Sequence, residues 1–520
     1  MSFEPSELAD DAVPIVFQHG EGDAGVVASW RPRFRQECTF PPAIFTSVMA
    51  NLIKNPNINS SLLFRADVLH ENEGSQPRAV PPELAHNAPE LPLFRGFELQ
   101  RYTIRRLIPR NPQVDRPIDQ TCLRYEKKLP ASDDHCHDKD NNGVESTLVV
   151  YLPHVSSEAE MPFYHPKVQG IALLHEWTAA ESRGAISISY QFFESSDHSA
   201  VKLTRTAYQL LKVIFKHGQG RVAGYQKRVH HDVLIPQARV QNTYTALKKK
   251  YARVLITGWA ESTDPEKHVF EDLGIAAFMI ELWADMYKTI PFPGFVDIGC
   301  GNGLLVYILN QEGFRGWGFD ARVRKSWAAY NTVGQQPGGG DSLQQLVLLP
   351  PPVSRAGISE ISSDDFAAEE LTHDGRFPKG TFIISNHADQ LTPWTPILAA
   401  MSDCPFIMIP CCSHNLTGAR QRAPPPKDKA KAESGYASLV QWVSEIARDC
   451  GWEVEQEMLR IPSTRNTALI GRTQQPKFDF SSLDIQEIVD RYGGTAGYLE
   501  AVVKLAKKSA APAAQKTTEH

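Results

Sequence analysis

The sequence predicts an α/β protein: a mostly parallel sheet with helices on both faces, preceded by an N-terminal α+β accessory region. Three observations carry that prediction. The run Phe295-Val-Asp-Ile-Gly-Cys-Gly-Asn-Gly-Leu-Leu-Val sets a strand-like segment against three alternating glycines and then helix formers. After it, strand-like and helix-like segments alternate, an order that right-handed crossovers turn into a parallel sheet. Before it, Ile186, Ile188, Tyr190 and Phe192 alternate with Ser187, Ser189 and Gln191, the period of a half-buried strand.

A chain of 520 residues divides by length into about three domains. The pattern assigns an accessory region to 1–195, a basic helical segment to 196–260, the α/β domain to 261–475, and C-terminal helices and a tail to 476–520. Residues 1–90 show little periodicity, which predicts short helices and loops, partly disordered at the start. From Phe94 to Arg110, arginines interleave with apolar residues, either as a backbone-contacting surface or as a charge-guarded strand edge. Asp138, Asp140, Asn142 and Gly143 open like a calcium loop. The twelfth position is Val149 instead of a bidentate Glu, so calcium is excluded. Leu148–Leu152, Ile171–Leu174 and Ile186–Phe192 read as strands.

Two amphipathic helices follow. Leu203, Ala207, Leu210, Leu211 and Ile214 make an apolar stripe opposite Lys202, Arg205, Lys212 and Lys216, and Val240, Tyr244, Leu247 and Tyr251 repeat at helical spacing. Thr263-Asp-Pro265 caps a further helix, apolar nearly all round, that should be buried against the sheet. Beyond the glycines, Gly316–Asp320, Thr381–Ser385 and Phe406–Ile409 read as strands, and Trp452–Met458 with Ala468–Gly471 as a terminal hairpin.

Composition narrows the function. The net charge of −6 conceals a block: residues 201–253 carry twelve Lys and Arg against Asp232 alone, a local +11 that leaves −17 for the remainder. Such a block is an electrostatic footprint for a polyanion or an acidic partner. It nominates Arg221, Tyr225, Lys227, Arg228, Lys248, Lys249 and Lys250 as RNA-binding residues, with Tyr225 available to stack on a base. No apolar run reaches the roughly 18 residues that span a bilayer. The acidic N-terminus is unlike a presequence, so a cytoplasmic location is expected. Eight scattered cysteines form no paired zinc spacing, and no metal is expected. Cys411 and Cys412 read as small residues closing a strand.

The chemistry gathers at the glycines. Gly299, Gly301 and Gly303 permit positive φ and let backbone approach a ligand. The pattern D-x-G-x-G-x-G differs from the G-x-G-x-x-G that cradles pyrophosphate, and it resembles motif I of class I S-adenosylmethionine-dependent methyltransferases. That resemblance implies a Rossmann-like class I fold and S-adenosylmethionine as cofactor. It also implies a cofactor set of Asp297, Gly299, Cys300, Gly301, Asn302, Gly303 and Asp320, with Asp320 accepting hydrogen bonds from both ribose hydroxyls. Asn386, His387 and Asp389 stand where the superfamily carries motif IV, facing the methyl acceptor, and are the catalytic candidates.

Those motifs, together with Gly318-Phe-Asp-Ala-Arg-Val-Arg-Lys-Ser-Trp, Ile409-Pro-Cys-Cys and Arg460-Ile-Pro-Ser-Thr-Arg-Asn-Thr-Ala, resemble the eukaryotic tRNA (uracil-2'-O-)-methyltransferase family over roughly residues 220–475. The resemblance implies methyl transfer to the ribose of the uridine at tRNA position 44 of serine tRNA, with tRNA as partner and no DNA or membrane. Arg465 is then a phosphate contact. Two alternatives stay open: a methyltransferase acting on a protein acceptor, and a non-catalytic tRNA-binding module.

Overall fold

The computed structural model describes residues 1–9, 30–74, 84, 88–94, 96–111, 114–127, 144–194, 200–225, 231–333, 339–353, 371–425, 434–476 and 478–502. The chain forms two compact units, Met1–Lys227 and Arg228–His520. The basic segment expected over 196–260 is thus shared between them. The calcium-like stretch lies outside the described residues.

In the first unit, β1 (Ser6–Glu7), β2 (Trp30–Cys38), β3 (Leu63–Glu73), β4 (Phe97–Pro109), β5 (Ile118–Lys127), β6 (Val144–Pro153), β7 (Gly170–Thr178) and β8 (Arg183–Gln191) form one antiparallel sheet. Its order is β1-β2-β8-β7-β6-β5-β4-β3. Helices α1 (Pro42–Lys54) and α2 (Val201–Val222) pack Phe45, Met49, Leu203, Leu211 and Ile214 against Phe34, Ile186, Ile188 and Tyr190. Three expectations change. The supposed loops before residue 90 contain β2 and β3, because Trp30, Phe34 and Cys38 supply an inward period that the intervening charges mask. Strand β8 is covered on both faces, Ser187 and Ser189 being buried as well. Of the interleaved arginines, Arg101, Arg105 and Arg106 lie on β4, which pairs with both β3 and β5 and is therefore no edge. There Arg101 pairs with Glu71 and Glu73, Arg106 pairs with Asp119, and buried Arg105 caps the C-terminal carbonyl of Leu52 in α1 at 3.2 Å.

The second unit begins with α3 (Gln237–Thr257) and α4 (Pro265–Met286), followed by β9 (Phe295–Ile298), α5 (Leu304–Gln311), β10 (Gly316–Asp320) and α6 (Trp327–Tyr330). Next come β11 (Leu343–Gln345), β12 (Val347–Leu348), β13 (Thr372–His373), β14 (Phe382–Asn386), α7 (Thr395–Ser402) and β15 (Phe406–Ile409). Helix α8 (Gly435–Asp449), β16 (Trp452–Met458), β17 (Thr467–Gln474) and α9 (Ile485–Arg491) complete it. A seven-stranded sheet runs β11-β10-β9-β14-β15-β17-β16. Its first five strands are parallel, and β17 and β16 form the expected antiparallel hairpin at one edge. Both faces are covered. Helices α3, α4 and α5 bury Leu247, Leu273, Trp283 and Leu309 with Phe295 and Ile384, while α7, α8 and α9 bury Leu398, Val443 and Ile488 with Val296 and Ile383. Asp264 caps α4 by accepting the Glu266 and Lys267 N–H groups, as its sequence predicts. Chain order reverses between β9 and β14, which makes their carboxyl ends the place where an open sheet binds ligand. Among the described residues no helix is long and apolar enough to cross a membrane.

Candidate active site

The end of β9 turns through Gly299, Gly301 and Gly303 at φ values of 74°, 55° and 77°. A Cβ on Gly303 would stand 2.5 Å from the Leu343 side chain, whereas one on Gly301 would meet nothing within 4 Å. The first glycine type is required by packing and backbone conformation, the second leaves open space over a bare peptide. Asp320, ending β10, fixes this turn: Oδ2 accepts the Gly301 N–H at 3.1 Å and Oδ1 accepts the Arg322 N–H at 3.0 Å. Each carboxylate oxygen keeps capacity for a further donor. Trp327 Nε1 donates to the Gly301 carbonyl at 2.9 Å, and Ser326 Oγ donates to that of Asn302 at 2.8 Å. The Asn302 side chain accepts the Leu304 N–H at 2.9 Å, so it starts α5. Cys300 is buried, and burial raises its thiol well above the ordinary range.

These elements line a cleft of about 600 Å³ whose inner wall is acidic. Asp297 is 2% exposed, and its Oδ1 has no partner. Burial, then the neighbouring Asp272 and Asp320, holds its carboxyl well above the usual range. On α4, burial and then Glu271 push Asp272 up to about 8, against the pull of its hydrogen bond from Asn386. Three buried or half-buried carboxyls and an open glycine turn suit a ligand that is both nucleoside and cation. A sulfonium nucleoside with an ammonium group is such a ligand.

The end of β14 closes the cleft. Asn386 Nδ2 donates to Asp272 Oδ1 at 3.3 Å, while its own Oδ1 is buried without a partner. His387 has φ of 52°, Asp389 of 47°, both in the left-handed region that non-glycine residues rarely occupy. Such strain persists only where the surroundings over-determine it, and it clusters at functional sites. His387 Nε2 lies 3.0 Å from Glu271 Oε1, and its Nδ1 is buried without a partner. A carboxylate can only accept, so with Glu271 ionised the hydrogen lies on Nε2, and in the neutral ring Nδ1 then presents the lone pair. Asp389 lines the same cleft, where Cys411 Sγ donates to its Oδ1 at 3.2 Å. Asp389, Cys411 and Cys412 bring potential metal-ligand atoms within 4.8 Å of one another, but burial raises both thiols and disfavours thiolates.

Sequence reasoning missed Glu271 and Asp272. The only signal was an adjacent acidic pair in a helix otherwise apolar nearly all round. The candidate RNA residues separate. Arg465 lines the cleft with its guanidinium 4.5 Å from the Tyr436 ring centroid. Lys248 lies over Phe270 at 4.6 Å, Lys250 pairs with Glu312 at 2.7 Å, and Lys249 is exposed. Arg221 and Tyr225 belong to the first unit, where Arg221 donates to Ser47 Oγ at 2.7 Å and Tyr225 is exposed. Lys227 and Arg228 lie outside the described residues.

A glycine cradle, a carboxylate at the end of the neighbouring strand and a cation-seeking cleft define an S-adenosylmethionine-dependent methyltransferase. Residues 234–338 match the family model described as "Predicted AdoMet-dependent methyltransferase", and residues 9–228 match "TRM44-like, N-terminal bet v1-like domain", nearly the whole first unit. Three curated relatives bear the name tRNA (uracil-O(2)-)-methyltransferase. That of Neurospora crassa is 66% identical over 98% of this chain and 98% of its own. Those of Schizosaccharomyces pombe and Saccharomyces cerevisiae are each 36% identical, covering 92% and 91% of both chains respectively. The chain belongs to the tRNA (uracil-O(2)-)-methyltransferase family.

Proposed function

We propose that this chain transfers the methyl group of S-adenosylmethionine to the ribose 2'-hydroxyl of a uridine in tRNA, the uridine at position 44 of serine tRNA being the acceptor its resemblance implies. The five parallel strands and antiparallel edge hairpin support reading the sheet as a class I, Rossmann-like methyltransferase fold. The catalytic domain is then 261–475, a segment within 196–260 contacts RNA, and 476–520 supplies the terminal helix and tail.

The observation that carries the mechanism is the Glu271–His387 pair at the mouth of the glycine cleft. S-adenosylmethionine, when bound, supplies a methyl group already activated on sulfonium. Asp320 would accept from the ribose hydroxyls of that nucleoside, with the Gly299–Gly303 backbone as its cradle, and Asp297 would offer its unpartnered Oδ1 to the ammonium. Asn386 holds the acceptor nucleotide through its free Oδ1. His387 Nδ1 would take the proton from the acceptor 2'-hydroxyl as its oxygen bonds the methyl carbon and the carbon–sulfur electron pair departs with the neutral thioether, and Glu271 would hold the ring in the required tautomer and stabilise the imidazolium. Asp389 borders the acceptor side. Positioning supplies much of the acceleration.

The test is methyl incorporation from labelled S-adenosylmethionine into a total extract. Label lost on RNase treatment supports this reading. Label lost on protease treatment makes the acceptor a protein, and cofactor binding without any transfer makes the chain a non-catalytic module.

A further inference from the structure

Beside the acceptor end of the cleft lies a shallow basin of about 540 Å³ that shares Cys411 and Arg465 with it. Arg420, Arg422 and Arg465 line it, and among the described residues no carboxylate does. None of the three arginines enters an ion pair among the described residues. Elsewhere in the chain exposed arginines commonly find acids: Arg460 pairs with Asp232, and Arg491 with Asp449 at 3.0 Å.

We infer that this basin docks phosphodiester groups of the RNA strand whose ribose enters the cleft. The inference rests on the reading of the cleft as a ribose methyltransferase site and extends it to how the strand is held.

The basin is built in advance. Arg420 and Arg422 sit on a hairpin locked from within: Asn415 Oδ1 accepts from the Thr417 and Ala419 N–H groups, each at 3.1 Å, and the Ala423 N–H donates to Ser413 Oγ at 3.0 Å. Arg465 is oriented by the face of Tyr436, and that ring is fixed in turn because its Oη accepts the Thr467 N–H at 3.0 Å. The first turn of α8, a helix of 15 residues, opens on the same basin through Ser434, Gly435 and Tyr436, adding the positive end of its dipole. Guanidinium forks match phosphate oxygens in pairs. A strand that presents one ribose to His387 must lead its flanking phosphates out past the cleft rim, and Arg465 stands on that rim.

The test uses the full chain with Arg420→Gln and Arg422→Gln together, compared with wild type for S-adenosylmethionine affinity, single-turnover rate at saturating tRNA, and tRNA affinity across a salt series. The expected result is unchanged cofactor affinity, a saturated rate within about twofold, severalfold weaker tRNA binding, and a log–log salt slope smaller by about 1.4 for two single-strand contacts. Lysine at both positions should restore the slope. A wild-type slope and affinity in the double glutamine variant overturns the docking surface while leaving methyl transfer intact. Wild-type protein that methylates no RNA removes the underlying reading instead, and basin-dependent methylation of an acidic protein reassigns the surface to that partner.

Discussion

Asp320→Ala should weaken S-adenosylmethionine binding far more than any other single change in the glycine cradle. The carboxylate is half-buried, its side chain 16% exposed, and each oxygen already accepts one backbone N–H, leaving one site apiece for a ribose hydroxyl. A hydrogen bond to a charged group contributes about 1.5 kcal/mol at the lower end, so losing two removes about 3 kcal/mol. That is roughly 150-fold in Kd. Asparagine keeps one acceptor oxygen and should lose about half of that free energy, roughly tenfold. Titration calorimetry with S-adenosylmethionine and with S-adenosylhomocysteine measures both, and the two ligands should weaken in parallel because they share the ribose. Circular dichroism on each variant checks that the turn held by Gly301 and Arg322 survives. An alanine variant that is folded and binds within twofold of wild type would refute the assignment of Asp320 to the cofactor ribose.

Glu271→Gln should cut the single-turnover methylation rate by roughly 10²-fold or more, the range of positioned general-base catalysis, with cofactor Kd little changed. His387→Ala should do the same, and a wild-type rate in either removes the pair from the mechanism. Asp272 gives a pH signature. Its folded value of about 8 stands above the unfolded carboxylate value, so the native state binds the extra proton and stability falls as pH rises between the two. Asp272→Asn should therefore raise Tm more at pH 8 than at pH 5, by an amount on the order of a few kcal/mol in stability. Equal gains at both pH values would contradict the raised carboxyl. Replacing Lys248, Lys249 and Lys250 with Gln should lower the tRNA salt slope by only about 0.7–0.9, one contact, because Lys250 is paired with Glu312 and Lys248 is seated on Phe270. A drop near that of three contacts would show that RNA recruits all three.

What the sequence made legible was local. Gly299, Gly301, Gly303 and Asp320 could be read because a turn needing positive φ and a carboxylate ending the next strand are properties of a few adjacent residues. The edge hairpin of β16 and β17 was readable for the same reason. Glu271 was not, since its meaning depends on His387, 116 residues away, and only the packing of α4 over the end of β14 joins them. Strand β2 was hidden by charge: Arg31, Arg33 and Arg35 alternate with buried Trp30, Pro32 and Phe34, and such a row of arginines looks like loop composition until the partner strand is known. The basic block was legible as charge alone. Which of its members are already neutralised depends on tertiary neighbours such as Glu312.

The most direct measurement is to incubate the full-length protein with labelled S-adenosylmethionine and unmodified tRNA, digest the product with alkali, and locate the label. A 2'-O-methyl group protects its phosphodiester from alkaline cleavage, so the label should appear in a single alkali-resistant dinucleotide beginning with uridine. Label released in mononucleotides, or held on protein, would contradict ribose methylation by this cleft.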